Sequence, residues 1–212
     1  MQDTQKIYSR RYHDVSLKVI PGHFVTPNSH INHYIDMTTM KTRQSEAQAT
    51  AKALAESYVS STVVDTIICM DDTNVIGAYL AEELTKAGIL SKNAHKTIYI
   101  VTPEYDVSGQ MIFRENTQMM IRGKNVLILL ASTTTGTTVA RACESIKYYG
   151  GTISGISAIF SSVSKVFGHT INALFTKADL PEYKTYKAEE CALCKAGQKI
   201  DAIANGFGYS RL

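Results

Sequence analysis

One stretch of the sequence combines a buried strand, a loop and a helix in immediate succession. Residues 125–146 read NVLILLASTTTGTTVARACESI. The apolar run NVLILL is typical of a strand buried on both faces, and the Ser/Thr/Gly run after it predicts a loop that opens a helix. A strand that passes directly into a helix is the repeating unit of α/β proteins with parallel sheets. This stretch therefore constrains the fold more than any other.

Other segments repeat the alternation. VVDTIICM, KTIYIV and TISGISAIFSS predict further buried strands, while residues 44–59 and 75–88 predict helices. LKVIPGHFVTPNSHINHYIDM predicts two short strands joined by a Pro-Asn-Ser turn, and residues 1–14 are expected to be helical or loosely ordered. We predict an α/β fold with a central, mostly parallel sheet flanked by helices and a small N-terminal hairpin.

Composition narrows the function classes. The chain has 212 residues, of which 44% are hydrophobic and 19% charged, which suits one soluble domain over 1–212. A formal charge of +3 gives little support to a nucleic-acid partner. No apolar run approaches the roughly 20 residues that cross a bilayer, and the first 20 residues are polar. With four cysteines, two of them in apolar segments, we expect a reducing, cytoplasmic location without membrane contact.

The loop after the strand NVLILL has the chemistry of a phosphate site. At the start of a helix, unpaired N–H groups and the helix dipole favour a phosphate dianion. Glycine permits close approach of the backbone, and threonine hydroxyls add donors. The loop has neither a Walker ending nor a Gly-x-Gly-x-x-Gly pattern, and a turn that only caps its helix is the alternative. The predicted phosphate-binding residues, called here the Thr/Gly loop, are Ser132, Thr133, Thr134, Thr135, Gly136, Thr137 and Thr138.

This stretch resembles the phosphoribosyl-diphosphate signature of type I phosphoribosyltransferases. In that family the strand ends in two acidic residues, followed after two positions by Thr-Thr-Gly and another Thr or Ser. Anchored on Thr134, Thr135 and Gly136, the two acidic positions fall on Leu130 and Ala131. The resemblance therefore implies that the phosphate part of the site is kept and the acidic part, which serves the ribose, is missing.

Three further segments resemble orotate phosphoribosyltransferases in the same order. GHFVTPNSHINHYIDM is similar to their hood, ICMDDTNVIGAYLAEEL to their pyrophosphate turn, and ADLPEYKTYKAEECALCKAG to a Cys-containing tail found in one subgroup. The resemblance implies a type I phosphoribosyltransferase-like fold, a hood segment at about 15–42 and a tail at about 184–212. It also implies a homodimer. Phe24 and Tyr34 either stack on a base or form the core of the hood.

The segment that would close over the leaving group differs from the family. Orotate phosphoribosyltransferases use a flexible loop rich in basic residues there, which stabilises the departing pyrophosphate. The matching residues 102–121 contain one basic side chain, Arg114, beside Glu104, Asp106 and Glu115. One arginine among three acids is a poor match for a highly charged leaving group.

The turn after the strand VVDTIICM holds the remaining candidates. By resemblance Asp72, Thr73 and Asn74 form the pyrophosphate turn. Asp71 and Asp72 would repel the leaving group unless they bind Mg²⁺ in place of the missing acidic pair. Alternatively, Asp72 or Thr73 only caps the next helix. Asp71, Asp72 and Arg114 are the candidate catalytic groups, without an assigned role.

Cys191 and Cys194 form a Cys-x-x-Cys pair, which is half of a zinc site or a dithiol. A structural zinc normally needs four ligands, and His169 or a partner subunit would have to supply the rest. His30 and His33, three residues apart on one strand, should face opposite sides. We therefore favour reduced thiols in an inherited turn over a zinc site.

The sequence predicts a divergent orotate phosphoribosyltransferase-like protein. It would bind phosphoribosyl diphosphate or a nucleotide monophosphate through the Thr/Gly loop, with weak or absent transfer. Two alternatives stay open. One is an active, Mg²⁺-dependent transferase that acts on orotate or another base, releases pyrophosphate and has a remodelled site. The other is a regulatory protein that senses a nucleotide.

Overall fold

The structure is a computed structural model that describes residues 3–86, 88–205 and 208–212. The strands in these residues are β1 (Gln5–Tyr8), β2 (Ser16–Thr26), β3 (Ser29–Asp36), β4 (Thr66–Cys69), β5 (Tyr99–Val101), β6 (Glu104–Tyr105), β7 (Met111–Ile112), β8 (Asn125–Thr133), β9 (Thr152–Ser161), β10 (Lys165–Val166), β11 (His169–Thr176), β12 (Thr185–Tyr186), β13 (Ala202–Asn205) and β14 (Gly208–Arg211). The α-helices are α1 (Thr38–Thr42), α2 (Gln44–Ala55), α3 (Asn74–Lys86), α4 (Glu115–Gln118), α5 (Thr137–Tyr148) and α6 (Ala192–Lys195). Two 3₁₀ turns cover Gly88–Leu90 and Ala188–Glu190.

The contacts divide the chain into two compact units. The first, called the terminal unit, consists of residues 1–39 and 177–212, and the second, called the central unit, consists of residues 40–176. The predicted hood segment lies almost wholly in the terminal unit, and the predicted tail lies in it entirely. The sequence-based division into one domain over 1–212 stays a prediction.

The central unit is a mostly parallel sheet with helices packed against it. Its strand order is β10-β11-β9-β8-β4-β5, and every pairing is parallel except that of β10 with β11. Val139, Ala142 and Ile146 of α5 belong to one buried cluster with residues of β4, β8 and β9. Helix α3 approaches the sheet closely at Gly77, where an added Cβ would collide with Cys69 Sγ. The predicted mostly parallel α/β sheet is confirmed.

The terminal unit is a separate mixed sheet. Its order is β12-β3-β2-β13-β14, with β1 paired antiparallel to β2. The predicted hairpin is confirmed, since β2 and β3 are antiparallel neighbours with a bulge between Pro21 and Phe24. The expectation of helix or loose order in residues 1–14 is wrong for Gln5–Tyr8, because these residues pair in register with Ser16–Val19. The tail completes the sheet, since β12 pairs with β3 and β13 with β2.

Among the described residues, every helix is too short or too polar to cross a bilayer.

Candidate functional site

The Thr/Gly loop joins the carboxyl end of β8 to the first turn of α5. Gly136 precedes the helix with a φ of 81°, a left-handed conformation that favours glycine. It is buried, and an added Cβ there would collide with Val166 Cγ2. Gly136 is therefore needed both for its backbone conformation and for its lack of a side chain.

Hydrogen bonds hold the loop on its β9 side. Ser162, directly after β9, donates its N–H to Thr133 O at 3.0 Å and its hydroxyl to Thr134 O at 2.5 Å. The hydroxyls of Thr135 and Thr137 lie 3.1 Å apart, within hydrogen-bonding distance. The loop is thus held on this side through its carbonyl oxygens and not through its N–H groups.

Several backbone donors of the loop have no protein acceptor. Within residues 3–86, 88–205 and 208–212, no acceptor is bonded to the N–H groups of Thr134, Thr135, Gly136 and Thr138. Ser132, Thr135, Thr137 and Thr138 are exposed. Unpaired donors at a helix N-terminus, beside exposed hydroxyls, form a site suited to a phosphate.

The strand end before the loop carries no acid, but another acid reaches it. Leu130 and Ala131 are buried, as 1% and 6% exposed residues of β8. The Asp71 carboxylate, from the turn after β4, accepts a hydrogen bond from Ala131 N at 3.3 Å and another from the N–H of Ser132. Asp71 follows β4, the strand next to β8. Its carboxylate therefore contacts the backbone of Ala131, one of the two positions that are acidic in type I phosphoribosyltransferases.

The environment of Asp71 perturbs its ionisation. Burial raises the pKa of this carboxyl above its usual value, although the N–H groups of Ala131 and Ser132 and the charge of Lys41 act in the opposite direction. Lys41 is itself buried and donates from Nζ to Asp71 O at 2.9 Å.

The turn at Asp71 is also conformationally strained. Asp71 and Asp72 have φ values of 55° and 60°. Two successive non-glycine residues in the left-handed region cost about 1–3 kcal/mol each, and such strain concentrates at functional sites. Thr73 is buried, and its hydroxyl donates to Met70 O at 2.8 Å and Leu129 O at 3.3 Å, which ties the turn to β4 and β8. Asn74, the last residue of the predicted pyrophosphate turn, accepts a hydrogen bond from the Thr102 hydroxyl at 3.1 Å.

Residues 102–121 form a two-stranded ribbon, β6 with β7, followed by the short helix α4. The candidate Arg114 is held by Glu104, with Nη2 2.8 Å and Nε 2.9 Å from the same carboxylate oxygen. Its guanidinium is therefore already engaged by a neighbour from the same ribbon. Burial, together with the negative charge of Asp71, raises the pKa of Tyr105 to about 12.

Sequence reasoning did not single out Lys41 and Tyr105. Lys41 lies at the end of the predicted hood segment and Tyr105 within segment 102–121, and only the fold brings them to Asp71. A cleft of about 490 Å³ lies elsewhere along α5, and among the described residues its lining includes none of the Thr/Gly loop. It is lined by Ser108, Gln110, Arg141, Glu144, Ser145 and Tyr148.

In the terminal unit, the two predicted base-stacking residues belong to one aromatic group. Phe24 is fully buried, and its ring centroid lies 5.7 Å from that of Tyr34 and 6.1 Å from that of Tyr209. Burial and the charges of Asp36 and Tyr209 raise the pKa of Tyr34 to about 12. Phe24 is thus a core residue of this sheet, and a base contact by Tyr34 stays a prediction.

The terminal unit also gathers four metal-ligating side chains. The ligand atoms of His23, His30, Cys191 and Cys194, called here the His/Cys cluster, all lie within 4.8 Å of one another. The expectation that His169 or a partner subunit would have to complete the cysteine pair is wrong, because β2 and β3 bring two histidines to it. Sequence reasoning judged a metal shared by His30 and His33 unlikely and did not assign His23 or His30 to the cysteine pair, which the fold brings together.

The comparisons with known proteins agree with this architecture. No protein-family model and no curated protein matches the chain. Among solved structures, the chain is similar to Leishmania donovani UMP synthase, with a TM-score of 0.57 and 17% identity over 77% of this chain and 34% of that one. It is similar to adenine phosphoribosyltransferase from Thermoanaerobacter pseudethanolicus, with a TM-score of 0.52 and 14% identity over 82% and 95% of the two chains.

A third similar structure was solved with a ligand. Orotate phosphoribosyltransferase from Mycobacterium tuberculosis, in complex with 5-phospho-α-D-ribosyl 1-diphosphate, matches with a TM-score of 0.50 and 12% identity over 70% of this chain and 83% of that one. At this level of identity the likeness concerns the fold. The chain therefore has the fold of the type I phosphoribosyltransferases, as the resemblance of its motifs predicted.

Proposed function

We propose that the protein is a divergent orotate phosphoribosyltransferase-like protein that binds a phosphoribosyl ligand or nucleotide monophosphate by its 5′-phosphate at the Thr/Gly loop. The observation that carries this proposal is the set of unpaired N–H groups on Thr134, Thr135, Gly136 and Thr138 at the start of α5. A matching structure from this fold class holds 5-phospho-α-D-ribosyl 1-diphosphate, which supports the choice of ligand class. A homodimer in the cytoplasm completes the proposal.

Two features argue that transfer from the diphosphate donor is weak. The strand end that carries acids in the family carries the buried Leu130 and Ala131. Arg114, the basic residue of segment 102–121, is engaged by Glu104 at 2.8 Å. Electrostatic stabilisation of a leaving group requires free, positioned cations or a metal, and neither feature supplies one. Binding without efficient turnover is the function that this arrangement supports best.

The placement of Asp71 favours a second candidate, an active transferase with a remodelled metal site. Mg²⁺ is usually held by one or two carboxylates together with substrate phosphates. Asp71, partly buried at the backbone of Ala131, and the exposed Asp72 form such a pair of oxygen donors. They would hold Mg²⁺, which would supply charge neutralisation to a diphosphate. In this candidate the Thr/Gly loop keeps its role and the two aspartates replace the missing acidic pair.

The decisive experiment measures binding and turnover on the same protein. Thermal stabilisation is recorded with inorganic phosphate and with orotidine monophosphate. Pyrophosphate release is then measured from phosphoribosyl diphosphate with Mg²⁺, with orotate and other bases added singly. We expect stabilisation by the phosphate-containing ligands and no base-dependent release.

Each outcome separates the candidates. Base-dependent release that is lost in Asp71→Asn and Asp72→Asn would replace the first proposal by the second. The absence of stabilisation by either ligand would contradict both, because both require the Thr/Gly loop to bind a phosphate. Size-exclusion chromatography with light scattering tests the homodimer, and a monomeric mass would remove that part of the proposal.

A further inference from the structure

The His/Cys cluster is assembled from two distant parts of the chain. His23 and His30 lie on the neighbouring strands β2 and β3, and Cys191 and Cys194 flank and occupy the short helix α6. Cys191 is separated from His23 by 168 positions in sequence. The four side chains therefore meet only because the tail packs against the hairpin within the terminal unit.

The hairpin presents both histidines on one face. His30 is paired directly with Val25, and Val25 lies two residues after His23, so the pleat alone would direct all three to the same side. His23 lies within the β-bulge between Pro21 and Phe24, and a bulge changes the direction of the side chains it contains. His33, three residues beyond His30, is outside the group.

Four of the six distances between the ligand atoms lie close to those of a tetrahedral site. His23 Nε2 lies 3.6 Å from Cys191 Sγ, 3.6 Å from Cys194 Sγ and 3.1 Å from His30 Nδ1. Cys194 Sγ lies 3.3 Å from His30 Nδ1. Bonds of about 2.3 Å to sulfur and about 2.0–2.1 Å to nitrogen place the ligand atoms of a tetrahedral zinc roughly 3.3–3.8 Å apart. Three of these four distances fall in that range, the 3.1 Å between His23 Nε2 and His30 Nδ1 is slightly shorter, and every pair of ligand atoms lies within 4.8 Å, so small adjustments place the four atoms around one ion.

The surroundings of His23 fix the ring nitrogen that faces the cluster. His23 is fully buried, and its Nδ1 lies 3.0 Å from the carbonyl oxygen of Gln198. A carbonyl only accepts, so Nδ1 carries a hydrogen, and in the neutral ring Nε2 presents a lone pair to the two sulfurs. A ligating histidine that donates its other N–H to a backbone carbonyl is the usual outer-sphere arrangement of metal sites.

Hydrogen bonds also fix the position of the backbone around His23. His23 N donates to Asp201 Oδ2 at 2.7 Å, and Asp201 N donates back to His23 O at 2.8 Å. On the cysteine side, Lys195 N donates to Cys191 O at 3.1 Å and Gly197 N to Cys194 O at 3.0 Å. Both halves of the cluster are therefore oriented by contacts that do not involve the ligand atoms themselves.

We propose that His23, His30, Cys191 and Cys194 bind one Zn²⁺ ion in a closed tetrahedral site. Two thiolates and two imidazoles are a donor set that selects zinc among the common divalent ions, and four protein ligands leave no position for a substrate, so the site is structural. On binding, each cysteine thiol releases its proton to solvent and both imidazoles bind as neutral ligands. The ion cross-links the β2–β3 hairpin to the tail.

The first test measures metal content and coordination in the whole protein. The protein is purified under reducing conditions, and bound zinc is quantified by mass spectrometry before and after titration with Zn²⁺. The metal-free protein is then titrated with Co²⁺, whose absorption reports tetrahedral geometry and thiolate ligation. We expect one equivalent of zinc and intense thiolate-to-cobalt charge-transfer bands. Reduced wild-type protein that binds no zinc and gives no such bands would overturn the proposal.

Matched variants test the identity of the ligands. Cys194→Ala removes an exposed ligand, and Cys143→Ala removes a cysteine of the central unit. His30→Gln and His33→Gln change two histidines of the same strand. We expect Cys194→Ala and His30→Gln to weaken Co²⁺ binding by at least about tenfold and to change its spectrum, while Cys143→Ala and His33→Gln keep both. A wild-type spectrum in Cys194→Ala, or a Cys191–Cys194 disulfide in place of bound metal, would contradict the site.

Discussion

The Thr/Gly loop and the His/Cys cluster are built in opposite ways. The loop is seven consecutive residues that run from the end of a strand into the first turn of a helix, and its donors are mainly backbone N–H groups. The cluster joins four side chains from both ends of the chain, with 168 positions between His23 and Cys191. One site is a property of a local turn, and the other exists only once the terminal unit has folded.

The difference has consequences for how each site fails. A phosphate bound by several backbone donors survives the loss of any one side chain, but not a change in the backbone conformation. A tetrahedral ion depends on each of its four ligands, and its binding energy is part of the folding energy. Substitutions at the loop should therefore alter ligand binding first, and substitutions at the cluster should alter stability first.

Removal of zinc should have the largest effect. Metal present at a thousand times its dissociation constant stabilises the folded state by about 4 kcal/mol, which corresponds to roughly 8–16 °C in the melting temperature of a chain this long. We expect a strong chelator to lower the melting temperature of the wild type by that amount, as followed by circular dichroism. The Cys194→Ala variant serves as the control and should respond less, because binding weakened by at least about tenfold lowers the contribution of the metal by at least about 1.4 kcal/mol. An equal response of both proteins would show that the chelator acts elsewhere.

Substitutions at two glycines with similar backbone conformations distinguish the effect of close packing from that of backbone strain at the Thr/Gly loop. Gly136 and Gly168 have φ values of 81° and 82°, but an added Cβ would collide with Val166 at Gly136 and would meet nothing within 4 Å at Gly168. Alanine at either position carries a strain of about 1–3 kcal/mol. We expect only Gly136→Ala to abolish thermal stabilisation by inorganic phosphate and orotidine monophosphate. Loss of that stabilisation in Gly168→Ala as well would assign the effect to general instability.

Asp71→Asn should change the pH dependence of stability. Since burial raises the pKa of Asp71 in the folded protein, its ionised form destabilises the fold, and this cost is present at neutral pH. Asparagine removes the charge, so we expect the variant to be more stable than the wild type at neutral pH. As the pH falls below the folded-state pKa of Asp71 the difference should shrink, and it should vanish below the ordinary pKa of the carboxyl in the unfolded chain, where the wild type is protonated in both states. Urea unfolding at a series of pH values measures this, and a difference that grows towards acid pH would contradict the assignment.

Arg114→Ala should have the smallest effect. The guanidinium is bonded to Glu104 on an exposed ribbon, and surface ion pairs contribute little to stability. We expect an unchanged melting temperature and unchanged stabilisation by orotidine monophosphate. A marked loss of that stabilisation would show that Arg114 leaves Glu104 to contact the ligand. Segment 102–121 would then resemble the basic loop of an active transferase more closely.

Much of the central unit could be predicted from the sequence because its signals are local. The predicted strands at residues 63–70, 125–130 and 152–162 correspond to β4, β8 and β9, and the Thr/Gly stretch leads into α5. The missing acids at Leu130 and Ala131 were also visible in the sequence. The sequence did not show that the Asp71 carboxylate lies beside Ala131, because the hydrogen bond from Ala131 N to Asp71 joins residues 60 positions apart.

The terminal unit was predicted less well because its pairings are long-range. Gln5–Tyr8 has no strong strand pattern, and it becomes a strand because Ser16–Val19 offers it a partner. The same cause hid the His/Cys cluster.

The sequence by itself determined the class of sheet, the hairpin and the strand–loop–helix that carries the Thr/Gly loop, since each depends on neighbouring residues. Only the tertiary structure decided which side chains meet. The tertiary structure paired Arg114 with Glu104 and brought Lys41 and Tyr105 close to Asp71. It also joined two histidines to a cysteine pair from the far end of the chain, because contacts between distant segments follow from packing and strand register rather than from local periodicity.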